Sequence, residues 1–183
     1  MVGCVPKKAV TSEVSDWNSH TVGPFKFELA KKFEKLGTTP ELIRVKQRLN
    51  FRVDATVFAD STSPSRVYEG VMVSLGRGGP GLNLRVVRKG SKQWLGDLQY
   101  VYRVYIQRSD DPALKGIERL YRSGGYKQKA EKYVVLEFIR GSGSEARKIR
   151  YFIDAEEVAR ELRDNNKLTQ YMLGRFNHIF KVI

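Results

Sequence analysis

Cysteine, histidine and long apolar runs are all scarce in this chain of 183 residues. Because Cys4 is the one cysteine, the chain can form neither an internal disulfide nor a cysteine-based zinc cluster. The two histidines, His20 and His178, are too few and too far apart in sequence to suggest a catalytic or metal centre. There is no apolar run of about 18 residues, and residues 1–24 lack the apolar core of a secretory signal. We therefore expect no membrane span, no secretion and at most peripheral contact with a membrane.

Acidic residues are also few, and this imbalance is the strongest feature of the composition. The chain has 33 Lys and Arg against 20 Asp and Glu, which gives a net charge of +13. Its hydrophobic content of 41% and its length are typical of a single soluble globular domain. A positive field of this size favours polyanionic partners, such as a nucleic acid, a nucleoprotein or an anionic membrane surface.

A strict two-residue alternation runs through residues 43–59, with Gln47 as the one exception. The apolar positions are Ile43, Val45, Leu49, Phe51, Val53, Ala55, Val57 and Ala59. The opposite positions are Arg44, Lys46, Arg48, Asn50, Arg52, Asp54 and Thr56. Since successive side chains of a strand point to opposite sides, the pattern predicts one long strand, or two strands joined by a bend. Such a strand would have an apolar back and a basic front.

Helical spacing appears on both sides of this strand. Gly23-Pro24 followed by apolar residues at helical spacing predicts a helix over residues 25–36, ended by Gly37. Ser63-Pro64 is typical of a helix start, and residues 63–75 then carry a helical apolar face. The same residues also alternate, so a strand is the competing interpretation. The capping residues favour the helix.

The remaining elements follow from apolar runs and turn residues. Strands are predicted over residues 82–87, 98–107, 133–140 and 148–153, the last two as a hairpin. A short helix is expected within residues 113–130, with Gly124 ending it. Asp154 begins a predicted helix, and the apolar face that follows continues to the C-terminus.

These elements predict an α+β fold for residues 23–183, as a single domain. An antiparallel sheet of about five strands would carry helices packed on one face. Residues 1–22 are interpreted as a flexible N-terminal arm. Its Trp17 either folds back onto the domain or docks on a neighbouring molecule.

No catalytic centre is evident in the sequence. Gly76, Gly78 and Gly81 match the bare pattern of a dinucleotide-binding loop, but Pro80 and a predicted strand follow where the motif needs a helix. An enzyme acting on an anionic substrate is a weaker hypothesis, in which His178 would meet Glu156 or Glu157. We therefore predict no enzyme activity, catalytic residue, metal, cofactor or small-molecule substrate.

The positive charge is spread through the predicted domain instead of being confined to a tail. Basic residues outnumber acidic ones within residues 25–52, 77–92, 115–132 and 140–150. The predicted polyanion-binding residues are Arg44, Lys46, Arg48, Arg52, Arg77, Arg85, Arg88, Lys89 and Lys92. Binding through such residues should weaken steeply with salt. Tyrosines, concentrated in residues 100–133, could stack on bases or pack in the core.

Two stretches resemble the matrix proteins of rhabdoviruses, in particular the plant-infecting branch. Residues 42–57, a Ser/Pro turn and residues 66–75 are similar to the strand–turn–helix unit of that family. Residues 156–183, a predicted helix with an apolar end, are similar to how those proteins finish. The chain lacks the Pro-Pro-x-Tyr and Pro-Thr-Ala-Pro budding motifs of the animal-virus members.

The resemblance implies a non-enzymatic viral structural protein that binds the nucleocapsid and self-associates on an anionic membrane face. It would be found in the virion and in the cytoplasm of the infected host cell, peripheral at the membrane. Lys7, Lys8 and Trp17 are then the candidates for self-association into a homo-oligomer. The alternative is a viral nucleic-acid-binding protein, either a small capsid protein or an RNA-binding silencing suppressor.

Overall fold

The structure is a computed structural model that describes residues 16–44, 50–62, 66–67, 69–78, 90–126, 128–158 and 164–183. The strands are β1 (Trp17–Val22), β2 (Phe25–Ala30), β3 (Phe33–Arg44), β4 (Asn50–Asp60), β5 (Arg66–Val67), β6 (Glu69–Arg77), β7 (Ser91–Leu95), β8 (Leu98–Arg108), β9 (Gln128–Lys129), β10 (Lys132–Ser142), β11 (Glu145–Asp154) and β12 (Phe180–Val182). The described α-helices are α1 (Lys115–Ser123) and α2 (Asn165–Ile179), and a short 3-10 helix (Pro112–Leu114) precedes α1. The predicted α+β class is therefore wrong, because most of the described chain is strand.

Two antiparallel sheets make up most of the fold. The larger is seven-stranded, in the order β3-β4-β6-β11-β10-β8-β7, and the smaller is three-stranded, in the order β1-β2-β12. Strands β5 and β9 form a separate parallel pair. The prediction of about five strands with helices on one face is corrected by this arrangement, since one helix packs on each face of the seven-stranded sheet.

The larger core lies on the face of the sheet that α2 covers, which we call the α2 face. There α2 buries its apolar side chains, Met172 and Phe176 among them, together with those of the three-stranded sheet. Phe180 of β12 stacks on Phe27 of β2 at 5.2 Å between ring centroids and on Phe176 of α2 at 4.8 Å. Helix, small sheet and large sheet are thus joined through one aromatic cluster.

The opposite face, which we call the α1 face, carries a smaller core under helix α1. Ile117 and Tyr121 of α1 are buried against Met72, Val135 and Phe152 of the sheet. The sheet packs closely here, because a Cβ added to Gly70 of β6 would lie 2.1 Å from the ring of Phe152. The predicted short helix ended by Gly124 is confirmed.

The predicted helix over residues 25–36 is wrong, because β2 and the start of β3 occupy these residues. Phe25, Phe27 and Leu29 alternate with polar residues, and all three are buried. Gly23 has a φ of +59°, which suits the two-residue turn between β1 and β2. The helical spacing of the phenylalanines concealed this two-residue period. Of the predicted arm, residues 17–22 form β1, and residues 1–15 lie outside the described chain.

The helix favoured for residues 63–75 is also wrong in its described part, where β6 confirms the competing strand. β6 is central, pairing with both β4 and β11. Val71, Met72 and Val73 are all buried because the sheet is covered on both faces. A strand buried on both sides gives a continuous apolar run, which periodicity cannot distinguish from a buried helix.

The other predicted elements have mixed outcomes. The strand over residues 98–107 and the hairpin of β10 and β11 are confirmed, with a tight turn at Gly143-Ser144. Residues 155–158 form a turn, and α2 begins at the Asp164 cap, whose carboxylate accepts hydrogen bonds from the amides of Asn166 and Lys167. The helix ends before the C-terminus, at β12. The predicted strand over residues 82–87 lies outside the described residues.

The alternating stretch at residues 43–59 contains the end of β3 and most of β4, which pair as antiparallel neighbours. The alternative of two strands instead of one is therefore correct, and the residues between them, 45–49, lie outside the described chain. Val53, Ala55, Val57 and Ala59 are buried as predicted. The opposite side of β4 is not a uniform basic front, because Thr56 and Phe58 are buried there and Asp54 is exposed.

Candidate polyanion interface

One end of the seven-stranded sheet gathers basic residues, and we call it the basic end. It is defined by Arg77 at the end of β6 and by Arg140 and Arg147 on the hairpin of β10 and β11. The register places Arg77 opposite Glu145, and Arg140 opposite Arg147. Arg147 itself lies opposite Leu75, two residues before Arg77. Since directly opposed residues in antiparallel strands share a face, the three arginines lie on one side of the sheet, in two adjacent rows.

The predicted polyanion-binding residues fall into three groups. The side chains of Arg77 and Lys92 are described and exposed. Arg44 and Arg52 lie in β3 and β4, but only their backbone positions are described. Lys46, Arg48, Arg85, Arg88 and Lys89 lie outside the described residues.

The backbone register relates the first two groups. Beyond the pair Ala55–Ser74, β4 continues to Asn50 and β6 continues to Arg77, both toward the basic end. Strand β3 reaches the same end at Arg44, opposite Asn50. Lys92 pairs with Val101, which pairs with Ile139, so Lys92 lies on the α1 face, opposite to Arg77. Arg77 and the backbone of Arg44 and Arg52 therefore lie toward the same end of the sheet, whereas Lys92 lies on its opposite face.

Two cations of the 140–150 cluster are buried inside the protein and cannot form part of a binding surface. Lys148 Nζ lies 2.7 Å from Glu41 Oε1 and 3.4 Å from Glu137 Oε2, and Arg150 also pairs with Glu41. Burial alone would raise the pKa of Glu41, but the charges of Arg150 and Lys148 outweigh it and lower that pKa. Burial and the neighbouring Arg150 lower the pKa of Lys148.

A second buried network lies on the α2 face around Glu69 of β6. Glu69 accepts hydrogen bonds from Tyr151 at 2.7 Å, from Lys32 and from Arg175 of α2. Lys32 Nζ also lies 2.9 Å from Asp60 Oδ2. Burial would lower the pKa of Lys32, yet hydrogen bonds and charges of Glu69 and Asp60 raise it. These contacts tie the small sheet and α2 to the large sheet.

The arginines of the basic end are more exposed than Lys148 and Arg150. Arg77 is exposed and makes no ion pair within the described part of the chain. Arg140 is half-buried and likewise has no ion-pair partner among the described side chains. Arg147 donates through Nε to Glu145 and lies 4.8 Å over the ring of Phe25. A pocket beside Arg140 and Arg147 has a volume of about 220 Å³ and is lined by Leu98, Arg140, Ser142, Glu145 and Arg147.

Tyr100 of β8 lies beside this pocket and is fully buried. Its hydroxyl has no hydrogen bond of standard geometry to a described residue. Burial raises the pKa of Tyr100, although the nearby charges of Arg147 and Arg140 act in the opposite direction. Sequence reasoning noted the basic cluster at residues 140–150 but missed this pocket, because only the strand register shows that Arg140 and Arg147 are neighbours.

The described residues show no arrangement typical of a catalytic or metal centre. No group of three His, Cys, Asp or Glu side chains in those residues could hold a metal ion. His178 is exposed near the end of α2 and contacts no carboxylate of the described chain. His20 lies against Phe58, 4.6 Å between ring centroids, and burial followed by the charge of Lys35 lowers its pKa. No described helix has the length and apolar character needed to cross a membrane.

The two tryptophans occupy different environments. Trp17 of β1 is half-buried, and Lys181 of β12 lies over its ring at 3.7 Å, so Trp17 packs on its own domain. Trp94 of the edge strand β7 is 61% exposed. Because it pairs with Gln99, which precedes the buried Tyr100, Trp94 lies on the α1 face, as Lys92 does. Lys7 and Lys8, the other predicted self-association residues, lie outside the described chain.

No protein-family model matches this chain, and neither a curated protein nor a solved structure matches it. The fold and the basic end are therefore the basis for a functional proposal.

Proposed function

We propose that this chain is a non-enzymatic protein that binds the phosphate groups of a nucleic acid, as a small viral capsid protein or RNA-binding protein would. The observation that carries the proposal is the group of Arg77, Arg140 and Arg147 on one face of the basic end. Their positions on paired strands fix the spacing of the charges. A rigid set of guanidinium groups suits the repeating charge of a phosphate backbone.

The distribution of the acidic residues supports this proposal. Four of them, Glu41, Asp60, Glu69 and Glu137, are engaged with cations inside the protein. Those carboxylates cannot neutralise the basic end, where Glu145 pairs with Arg147 and leaves Arg77 and Arg140 without an ion pair in the described chain. A polyanion bound there would release its condensed counterions, which provides the favourable free energy.

A second candidate function is the matrix-like one, in which the protein binds a nucleocapsid, self-associates and coats an anionic membrane. The exposed Trp94 favours it, because it stands beside the exposed Lys92 on one face of an edge strand. A tryptophan next to a cation is typical of surfaces that enter the membrane interface. The protein would then lie at the inner face of a viral envelope. The strand–turn–helix unit behind the family resemblance is, however, replaced by strand β6.

A binding experiment with two ligands distinguishes these candidates. The first ligand is a fluorescent single-stranded oligouridylate, titrated at several salt concentrations, and the second is vesicles with and without phosphatidylserine. We expect binding to the RNA with a log–log salt slope of several units, since each phosphate contact on a single strand contributes about 0.7. Vesicle flotation without RNA binding would favour the matrix-like function, and the absence of both would refute a polyanion-binding role.

A further inference from the structure

The pocket at the basic end is lined by two arginines but only one carboxylate. Arg140 and Arg147 stand directly opposite each other on β10 and β11. Like charges at such positions lie with Cβ atoms about 5 Å apart and destabilise the sheet. Glu145 pairs with Arg147, whereas Arg140 has no ion-pair partner among the described residues. One positive charge in the pocket is therefore left without a counter-charge.

The hydrogen-bonding groups around the pocket are mostly donors. The two guanidinium groups and the hydroxyl of Ser142 line it, and Glu145, the one carboxylate in the lining, already accepts from Arg147. The buried hydroxyl of Tyr100 lies beside Arg147 without a standard hydrogen bond. Buried polar groups in proteins nearly always have a partner, and the neighbouring Arg147 guanidinium is the partner of this hydroxyl, so Tyr100 helps to position Arg147 at the pocket.

The volume of the pocket indicates which kind of anionic group could fit in it. A volume of about 220 Å³ is far larger than the ~10–15 Å³ that one water needs on this measure. It accommodates a tetrahedral anion together with the atoms attached to it. Two arginines with forked donors match the paired oxygens of a phosphate better than the single oxygen of an alcohol or amide.

We propose that the pocket lined by Arg140, Ser142, Glu145 and Arg147 binds one phosphate group of a single-stranded nucleic-acid backbone. Arg140 donates to two phosphate oxygens and Arg147 supplies a further donor, while the buried Tyr100 holds Arg147 in position. This assignment rests on the nucleic-acid binding proposed above and names the residues that perform it. A nucleic acid is favoured over a lipid headgroup because the exposed Trp94 lies on the α1 face, away from the pocket.

The test compares four variants in the oligouridylate titration. Arg140→Gln removes the unpaired charge, Arg140→Lys keeps the charge without the fork, and Tyr100→Phe removes the hydroxyl alone. The matched control is Arg119→Gln, which removes an exposed arginine from α1. Far-ultraviolet circular dichroism and thermal unfolding confirm that each variant is folded.

We expect Arg140→Gln to weaken RNA binding about ten- to a hundredfold, as the loss of a charge-assisted hydrogen-bonding group does. Arg140→Lys should retain the salt slope yet recover only part of the affinity, and Tyr100→Phe should weaken binding a few-fold without changing the slope. Arg119→Gln should match the wild type. An unchanged salt slope together with a reduced RNA affinity in Arg140→Lys would show that the forked geometry of the guanidinium is required, because the loss of a charge would change both the slope and the affinity.

The contrary outcomes separate this inference from the proposed function. If wild-type protein binds RNA and Arg140→Gln binds it equally well, the pocket assignment is refuted while nucleic-acid binding stands. If wild-type protein does not bind RNA, the proposed function fails and the inference with it. If Arg140→Gln loses binding to phosphoinositide vesicles but RNA binding is unaffected, the pocket belongs to a lipid phosphate and the nucleic-acid assignment is refuted.

Discussion

At the scale of single residues, the same side-chain type has opposite roles depending on its neighbours in the sheet. Arg147 and Arg150 are close in sequence on β11, but they point to opposite faces. Arg150 meets Glu41 of β3 in the interior, whereas Arg147 faces the pocket of the basic end. The sequence shows both as members of a basic cluster, and it contains no sign that Glu41, more than a hundred residues earlier, pairs with one of them.

The Glu41 network leads to a prediction about acid stability. The pKa of Glu41 is held below its ordinary value of 4.5 in the folded protein, so its stabilising contribution is present above pH 4.5 and is lost as the pH falls through the folded pKa. Glu41→Gln should reduce the free energy of unfolding at pH 7 by about 3–5 kcal/mol, because Arg150 and Lys148 lose their buried counter-charge. Below pH 4.5 the free energy of unfolding of the variant should depend less steeply on pH than that of the wild type, by up to about 1.4 kcal/mol per pH unit.

Urea denaturation between pH 3 and pH 7 measures both quantities. Glu34→Gln on the same strand is the matched control, because Glu34 is exposed and makes no ion pair within the described chain. The control should keep both the wild-type stability and its pH profile. Equal profiles for Glu41→Gln and the wild type would show that the buried network does not stabilise the fold.

At the scale of secondary-structure elements, the sequence predicted strands well where turns and alternation act together. β10 and β11 are two apolar runs around Gly143-Ser144, and β8 ends before Asp110-Asp111. β6 was missed because tertiary contacts bury both of its faces, so no alternation remains visible. β2 was missed because Phe25, Leu29 and Phe33 satisfy helical and strand periods equally until the pairing partner is known.

The last element, β12, could not be predicted from its own three residues. Its formation depends on the edge of β2, where Phe180 pairs with Leu29. Strands this short are stable only when they add to an existing sheet. Helix α2 therefore ends earlier than the sequence predicts, because the residues that follow it pair with the backbone of β2 instead of forming another helical turn.

Strand β12 should contribute strongly to stability despite its length. Phe180→Ala should lower the free energy of unfolding by about 3–5 kcal/mol, since it removes a buried ring stacked between Phe27 and Phe176. Ile183→Ala is the control, because Ile183 is 61% exposed and its loss should change stability by less than about 0.5 kcal/mol. Equilibrium unfolding in urea measures both. A similar small effect for the two variants would show that β12 is not part of the cooperative core.

At the scale of the whole molecule, charge is sorted between interior and surface. Lys148 and Arg150 pair with carboxylates inside the fold, and the partly exposed Lys32 and Arg175 reach the buried carboxylate of Glu69. Sequence counts alone treated these cations as equal to those of the surface. The polyanionic partner stays a prediction from composition, and the candidate surface for it follows only from the sheet register that places Arg77, Arg140 and Arg147 on one face.

The pair Arg44–Asn50, at the end of β3 and the start of β4, lies toward the basic end, which allows a test of the cations that the sequence predicts around it. Replacing Arg44, Lys46, Arg48 and Arg52 together by Gln should abolish detectable oligouridylate binding at physiological salt. At low salt the log–log slope should fall by up to about 2.8, which corresponds to four phosphate contacts on a single strand.

A control with the same change in charge separates local contacts from the net field of the protein. Arg108, Arg119, Arg122 and Lys132 are all exposed, and Arg108 pairs with Lys132 in the strand register, at the end of the sheet opposite to the basic end. Their exposed ion pairs with Asp110, Glu118 and Glu131 contribute little to stability, so the variant should remain folded. If the protein bound RNA only through its net charge, both quadruple variants would lose affinity equally. Retention of binding by the control, together with its loss in the β3–β4 variant, would place the contact at the basic end, because both variants carry the same net charge.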